Sequence, residues 1–221
     1  MIIDIHTHTY PTSIDSLLSP EELIGEAKRV GLDGLCITDH DGFWDPESVT
    51  RLSKIHDFLV LPGCEVTTEE GHLLVYGLRE YIFGMHRAAF VKELVDEAGG
   101  AIVVAHPYRR AYREQADTSA EAYSEMLDRA CANTVFPLTD AVEVLNGRGS
   151  DQENAFAHSI AERFGMSGTG ASDAHKLDDV GKYATKFHQP IRSQDDLIRE
   201  LKAGRFSPVV LRKQAVSHSH T

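Results

Sequence analysis

Long apolar runs are missing from this sequence. No stretch reaches the roughly 18 uninterrupted apolar residues of a membrane-spanning helix, so no membrane partner is expected. The N-terminus passes from Met1 through a short apolar run into charged residues and histidines. It lacks the basic region, longer apolar segment and cleavage site of a secretory leader, and a cytoplasmic location is the default expectation. Cysteine is scarce. Cys36, Cys64 and Cys131 are odd in number and match no zinc or redox spacing. They read as core residues, and Cys64 is notable only for preceding Glu65. Positive charge is in deficit, with 22 Lys and Arg against 34 Asp and Glu and a formal net charge of −12. An extended nucleic-acid surface is therefore not expected. A nucleotide substrate remains compatible, because divalent cations at a carboxylate-rich site invert the local sign. Internal repeats, low-complexity segments and linkers are also lacking.

What is present is an alternation of short β-like runs with helical segments. A hydrophobic fraction of 42% over 221 residues supports one sizeable core, and α/β barrels often fill this size as one domain. Strands are expected at Ile2–Ile5, Gly34–Thr38, Leu59–Glu65, His72–Gly77, Ala101–Ala105, Ala141–Leu145 and Ser167–Ala171, with Phe206–Leu211 closing the sheet. Helices are expected at Pro20–Val30, Arg87–Ala98, Thr118–Ala132, Asp151–Phe164 and Asp195–Ala203. Ser19 and Glu22 make a capping box before the first helix, and Pro20 takes its first position. The pattern predicts α/β with a largely parallel sheet. One domain spans residues 1–211, and residues 212–221 read as a disordered tail whose His218 and His220 have no role.

The 12 histidines matter through their positions. His6 and His8 follow the first expected strand, His40 the second and His106 the run Ala101–Ala105. Asp173 and His175 follow Ser167–Ala171, and Glu65 ends Leu59–Glu65. These residues sit just past strand C-termini, the rim where α/β folds build active sites. His72 is the exception, because it begins its strand. It can face Glu65 only if a hairpin turns at Glu69-Glu70-Gly71. Residues two apart in an extended chain point the same way, so His6 and His8 can hold one metal from one side. Asp4 can orient a ligand from behind. A Glu at the end of an apolar strand is costly unless paired or metal-bound, and the two oxygens of Glu65 can bridge two cations. Asp39-His40 puts an acid beside an imidazole at a strand end. Asp15 lies between Ser13 and Ser16, where turn roles are common.

These segments resemble the polymerase and histidinol phosphatase, or PHP, family. The matching motifs are Asp4-Ile5-His6-Thr7-His8, Thr38-Asp39-His40, Gly63-Cys64-Glu65, Ala105-His106-Pro107 and Ser172-Asp173-Ala174-His175. The stretch from Ala141 to Arg148 is also similar. The resemblance implies a distorted TIM-like barrel of about seven β/α units and two or three divalent metal ions. It implies one metal on His6, His8, Glu65 and Asp173. A second would share Glu65 and use His72 and His106, and a third would use Asp15, His40 and His175. Asp15 departs from the family pattern in being followed by Ser16 rather than Gly, and His72 matches through its place before Leu73-Leu74-Val75-Tyr76-Gly77. Imidazole and carboxylate without thiolate suit zinc, manganese or iron.

Metal-activated water would then hydrolyse a small phosphate ester, such as a nucleotide, a phosphomonoester or a short oligonucleotide end. Asp39 and Arg148 are the candidate catalytic groups beyond the ligands, Arg148 for holding phosphate. Arg109, Arg110 and Lys176 are weaker candidates for that task. Two other readings compete. Amidohydrolases acting on C–N bonds also place His-x-His after a first strand, and a metal-stabilised scaffold would need no catalysis. The bridging Glu and the Asp-Ala-His motif favour the phosphoesterase. A polymerase-associated proofreading role is less expected, since no polymerase region accompanies these motifs.

Overall fold

A computed structural model describes residues 1–212; residues 213–221 of the expected tail, with His218 and His220, lie outside the described residues. Arg212, where that tail was expected to begin, pairs with Glu26. The first half of the chain runs β1 (Ile2–Asp4), α1 (Pro20–Arg29), β2 (Gly34–Ile37), α2 (Pro46–His56), β3 (Leu59–Pro62), β4 (Cys64–Thr68) and β5 (Gly71–Tyr76). The second half runs α3 (Ala88–Glu97), β6 (Ala101–Val104), α4 (Ala120–Cys131), β7 (Ala141–Asn146), α5 (Asp151–Phe164), β8 (Gly168–Ala171), β9 (Tyr183–Phe187), α6 (Gln194–Lys202) and β10 (Phe206–Val210). The strands form two five-stranded sheets, ordered β10-β9-β1-β2-β3 and β4-β5-β6-β7-β8.

The expectation of a largely parallel sheet needs correction. β1, β2 and β3 are parallel, as are β6, β7 and β8. β5 runs antiparallel to β4 and β6, and β9 antiparallel to β1 and β10. The tight turn at Glu69 and Glu70 can only return the chain antiparallel. The expected strand Leu59–Glu65 is also two strands in different sheets, broken at Gly63. A Cβ at Gly63 would lie 2.9 Å from both Thr38 Cγ2 and Tyr76 Cε1, so the backbone turns where only glycine fits. α2 and β9 were not expected. Asp45 caps α2 by accepting from the Ser48 N–H, but Val49 is the only buried residue of that helix, which weakens its apolar period. β9 is a short strand in which Lys186 is exposed. The expected helix Thr118–Ala132 starts later, at Ala120, where Ser119 caps it. The capping box of α1 forms as its sequence dictates.

Alternation along the strands sends side chains to two cores. Val66, Leu73, Val75, Val142 and Val144 pack under α3, α4 and α5 with Phe136 and Phe156. Ile3, Ile5, Leu74, Tyr76, Val103 and Phe187 fill the space between the sheets. A third cluster lies under α1 and α2. The Tyr76 hydroxyl donates to the Ile5 carbonyl at 2.7 Å and so ties the two sheets through the interior. Beyond the strand ends, isolated parallel bridges pair Thr7 with Ala174 and His40 with Glu65. Pairs of backbone hydrogen bonds thereby tie the two edges of the second sheet, β8 and β4, to the residues just past the inner strands β1 and β2, at the rim that carries the histidines.

Candidate metal centre

The rim brings together every predicted ligand. His6, His8 and Glu65 are fully buried, and Asp173 is nearly so. His6 Nε2 and His8 Nε2 lie 3.0 Å apart, and each is 3.1 Å from Glu65 Oε2. Asp173 Oδ1 lies 3.6 Å from His6 Nε2 and 3.3 Å from His8 Nε2. The other oxygen of Glu65 faces His72 Nδ1 at 2.7 Å and His106 Nε2 at 2.8 Å. His40 Nδ1 is 3.1 Å from Glu65 Oε2. The hairpin at Glu69-Glu70 does bring His72 to Glu65 across β4 and β5. Asp15 is half exposed; its Oδ2 is 3.1 Å from His175 Nε2 and 3.6 Å from His40 Nε2.

The neighbours of the two innermost imidazoles define their proton positions. His6 Nδ1 is 3.0 Å from Glu143 Oε1, an acceptor only, so it carries the proton and leaves Nε2 a lone pair. His8 Nδ1 lies 3.2 Å from Ser13 Oγ, and that hydroxyl donates to Asp39 Oδ1 at 2.8 Å. The Ser13 proton is therefore committed to Asp39, and His8 donates to Ser13 through Nδ1. The Nε2 atoms of His6 and His8 then converge with one oxygen each of Glu65 and Asp173. Asp173 Oδ1 and His175 Nε2 are buried without a hydrogen-bond partner.

A cation fits this arrangement. Ligands about 2.1 Å from a metal stand roughly 3.0 Å apart along an octahedral edge and roughly 3.4 Å along a tetrahedral one, which are the separations seen here. Donor atoms of His6, His8 and Glu65, of His40, Glu65 and His72, of His6, His106 and Asp173, and of His8, His40 and His175 each lie within 4.8 Å of one another. The same surroundings also favour a proton on the imidazoles of His6 and His8. Burial pulls the His6 imidazole down, but Asp173, Glu143 and Glu65 outweigh it and hold its pKa well above the usual value. Burial pushes Glu65 up, yet the imidazoles of His6, His106 and His40 hold it well below the carboxylate range. Asp173 behaves like Glu65, with His6 and His8 opposing its burial. Protons and metal ions compete for the same lone pairs. Cys64 stays out of the centre. It packs into the outer core, and burial, with Asp41, Glu65 and Asp39 nearby, pushes its thiol up.

The supporting residues differ from expectation. Asp4 does not touch an imidazole; its Oδ1 accepts the N–H groups of Ser172 at 3.0 Å and His6 at 3.4 Å. Burial raises its carboxyl to about 7 against the hydrogen bonds from Ser172. Glu143, which the sequence reading passed over, is the group that orients His6. Its Oε2 also accepts the His106 N–H at 2.8 Å and the Asn146 amide at 2.9 Å. A lone Glu inside Ala141-Val142-Glu143-Val144-Leu145 was the available signal, since a buried carboxylate needs partners. Asp39 faces away from the donors. It accepts from Thr9 N–H at 2.6 Å, Thr9 Oγ1 at 2.7 Å, Ser13 and Trp44 Nε1 at 2.7 Å. Arg109 reaches Asp173 Oδ2. Arg148 Nη1 lies 2.9 Å from His175 Nδ1, which is also 2.9 Å from the Asp173 carbonyl. Arg110 and Lys176 are both exposed. Asp173 and His106 have positive φ, 51° and 27°. Such conformations cost about 1–3 kcal/mol each and concentrate at functional sites.

The chain belongs to the PHP domain family, whose model matches residues 4–170; a PHP-associated model matches residues 151–206. Over 240 aligned residues it is 26% identical to an error-prone DNA polymerase of Mycolicibacterium paratuberculosis, covering 93% of this chain and 21% of the polymerase. The chain thus spans about a fifth of that relative's length. An uncharacterized protein of Methanocaldococcus jannaschii is 29% identical over 117 residues, 49% of this chain and 68% of that protein. Among solved structures, PsfC from Pseudomonas syringae superposes with a TM-score of 0.62 at 17% identity, covering 95% of this chain and 91% of PsfC. An amidohydrolase from Chromobacterium violaceum with bound sulfate gives 0.57 at 20% identity, covering 96% and 98%. These two likenesses concern the fold. No helix among the described residues is long and apolar enough to cross a membrane.

Proposed function

We propose that this protein is a metal-dependent phosphoesterase acting on a small phosphate ester through a di- or trinuclear centre. The observation that carries this reading is the fully buried Glu65 carboxylate, with one oxygen against His6, His8 and His40 and the other against His72 and His106. A carboxylate surrounded in that way fits a bridge between cations. Asp173 completes the inner position, and Asp15 with His175 forms the outer one. We read the two stitched sheets as a distorted barrel with this rim as its mouth. Zinc, manganese and iron all suit the donor set. Bound divalent ions at such a site acidify water and polarise phosphoryl oxygens.

The chain's own residues supply the rest. Glu143 and Ser13 fix the His6 and His8 rings, so these need no reorganisation when charge arrives. Asp39 is a positioning residue, acting through Ser13 on His8. With its Nε2 lone pair engaged, His175 carries its proton on Nδ1 and donates to the Asp173 carbonyl. Arg148 then loses its acceptor and is available to a phosphate oxygen. The test is a screen of protein reconstituted with Mn²⁺ or Zn²⁺ against phosphomonoesters, phosphodiesters and amides. Turnover of an ester is expected. Turnover of amides alone would move the protein to C–N hydrolysis, and turnover of nothing would leave a metal-stabilised scaffold.

A further inference from the structure

A cavity of about 400 Å³ opens beside the candidate centre. His72 and His106, the two imidazoles on Glu65 Oε1, both line it, as does Arg109, which contacts Asp173. Nothing in the ligand set accounts for a cavity of this size, because the donors already meet one another within hydrogen-bonding distance. Its volume falls among those of pockets that hold small organic ligands. The cavity therefore adjoins the part of the donor ring that His72 and His106 form.

The walls say what chemistry the space suits. Tyr108, Val135 and Phe136 supply apolar and aromatic surface. The Tyr108 ring is fixed against Phe156, with centroids 5.0 Å apart. Glu70 and Asn133, two polar groups of the wall, are already engaged. The Glu70 carboxylate accepts the Ala88 N–H at 3.0 Å. The Asn133 amide donates to the Glu70 carbonyl at 2.8 Å and accepts the Val135 N–H at 2.9 Å. They offer little to a polyhydroxylated group, whereas the aromatic walls favour a ring. The segment carrying the wall is conformationally costly, with φ of 27° at His106, 66° at Tyr108 and 62° at Arg110. Positive φ at three such residues, none of them glycine, marks a wall held in a defined shape.

We propose that this cavity receives the leaving group of the hydrolysed ester, and that the leaving alcohol carries an apolar or aromatic ring. The inference rests on the phosphoesterase reading. In the reaction the P–O bond to the alcohol breaks, a water oxygen bonds to phosphorus, and the alcohol oxygen departs with a proton from that water.

Ala111 lines the cavity yet is exposed to solvent, so a large side chain there fills the space without entering the core. The full chain loaded with Mn²⁺ is compared with Ala111→Trp using 1-naphthyl phosphate and glycerol 3-phosphate as substrates. Direct binding of 1-naphthol is measured by calorimetry. From the apolar area of one ring, we expect 1-naphthol to bind the wild type and to bind Ala111→Trp about tenfold more weakly or worse. KM for 1-naphthyl phosphate should rise in step, with inhibition by inorganic phosphate unchanged. Ala111→Leu, a smaller filler, should give the same pattern in weaker form and serves if the Trp variant does not fold. Equal 1-naphthol binding in wild type and variants, or equal KM for the two esters in the wild type, would overturn the cavity assignment. Ring binding that Ala111→Trp abolishes, with neither ester hydrolysed, would instead overturn the phosphoesterase reading.

Discussion

The inner and outer parts of the donor ring use the same residue types but hold them by different means. His6, His8, Glu65 and Asp173 are buried and stand in β4 or just past β1 and β8, and Glu143 and Ser13 brace the two imidazoles. Asp15 is half exposed and comes from the loop between β1 and α1, while His40 is partly exposed. The inner group pays its desolvation cost in the fold itself, so it is arranged for a cation before one arrives. The outer group must be ordered by whatever binds there. An ion at the inner position should therefore be held more tightly than one at Asp15.

Substituting Glu65 is the strongest way to break this comparison, since it touches both parts. Glu65→Gln nearly conserves shape and removes the charge. We expect at least one metal ion to be lost and turnover to fall by more than about 100-fold, with the circular dichroism spectrum retained. Unchanged metal content and turnover would make Glu65 a structural ion-pair partner. Arg148→Ala comes next. For a hydrogen bond to a charged group of roughly 1.5–3 kcal/mol, kcat/KM on a phosphate ester should drop about 10-fold to 200-fold, while metal content holds. A simultaneous fall in metal content would mean that Arg148 supports His175 instead of contacting phosphate.

Glu143→Ala sharpens the contrast from within. It leaves every ligand in place but frees the His6 ring, and the inner ion should bind about 10-fold to 100-fold more weakly in a chelator competition. An unaltered affinity would show that burial alone orients His6. The smallest effect is expected at the exposed edge. Asp15→Asn should weaken only the outermost ion, by about tenfold or less given its exposure to solvent. If instead all metal is lost, the division into inner and outer positions is wrong.

Much of this site could be read from residue order, because strand ends and chemistry coincided. His6, His8, His40, His106, Asp173 and His175 each follow an apolar run, and that placement needs no knowledge of sheet order. The sequence left the approach of His72 to Glu65 conditional on a hairpin at Glu69-Glu70-Gly71, a condition that the pairing of β4 with β5 meets. What escaped was whatever depends on the direction of a side chain or the pairing of distant strands. Glu143 sits within a strand, so nothing marked which face it occupied. Asp39 looked catalytic because it adjoins His40, yet adjacent residues at a strand end point to opposite sides, and Asp39 turns to Thr9, Ser13 and Trp44. The division into two sheets turns on Gly63, where contact with Thr38 and Tyr76 forbids a side chain. That restriction exists only after β2 and β5 have come together.

In the proposed function one buried carboxylate, Glu65, organises a multinuclear metal centre. Elemental analysis of protein purified without chelator, repeated after addition of Mn²⁺ or Zn²⁺ and desalting, tests it most directly. Two or three divalent ions per chain are predicted from the overlapping donor groups around Glu65. A stoichiometry that stays at one or zero under both conditions would contradict the account.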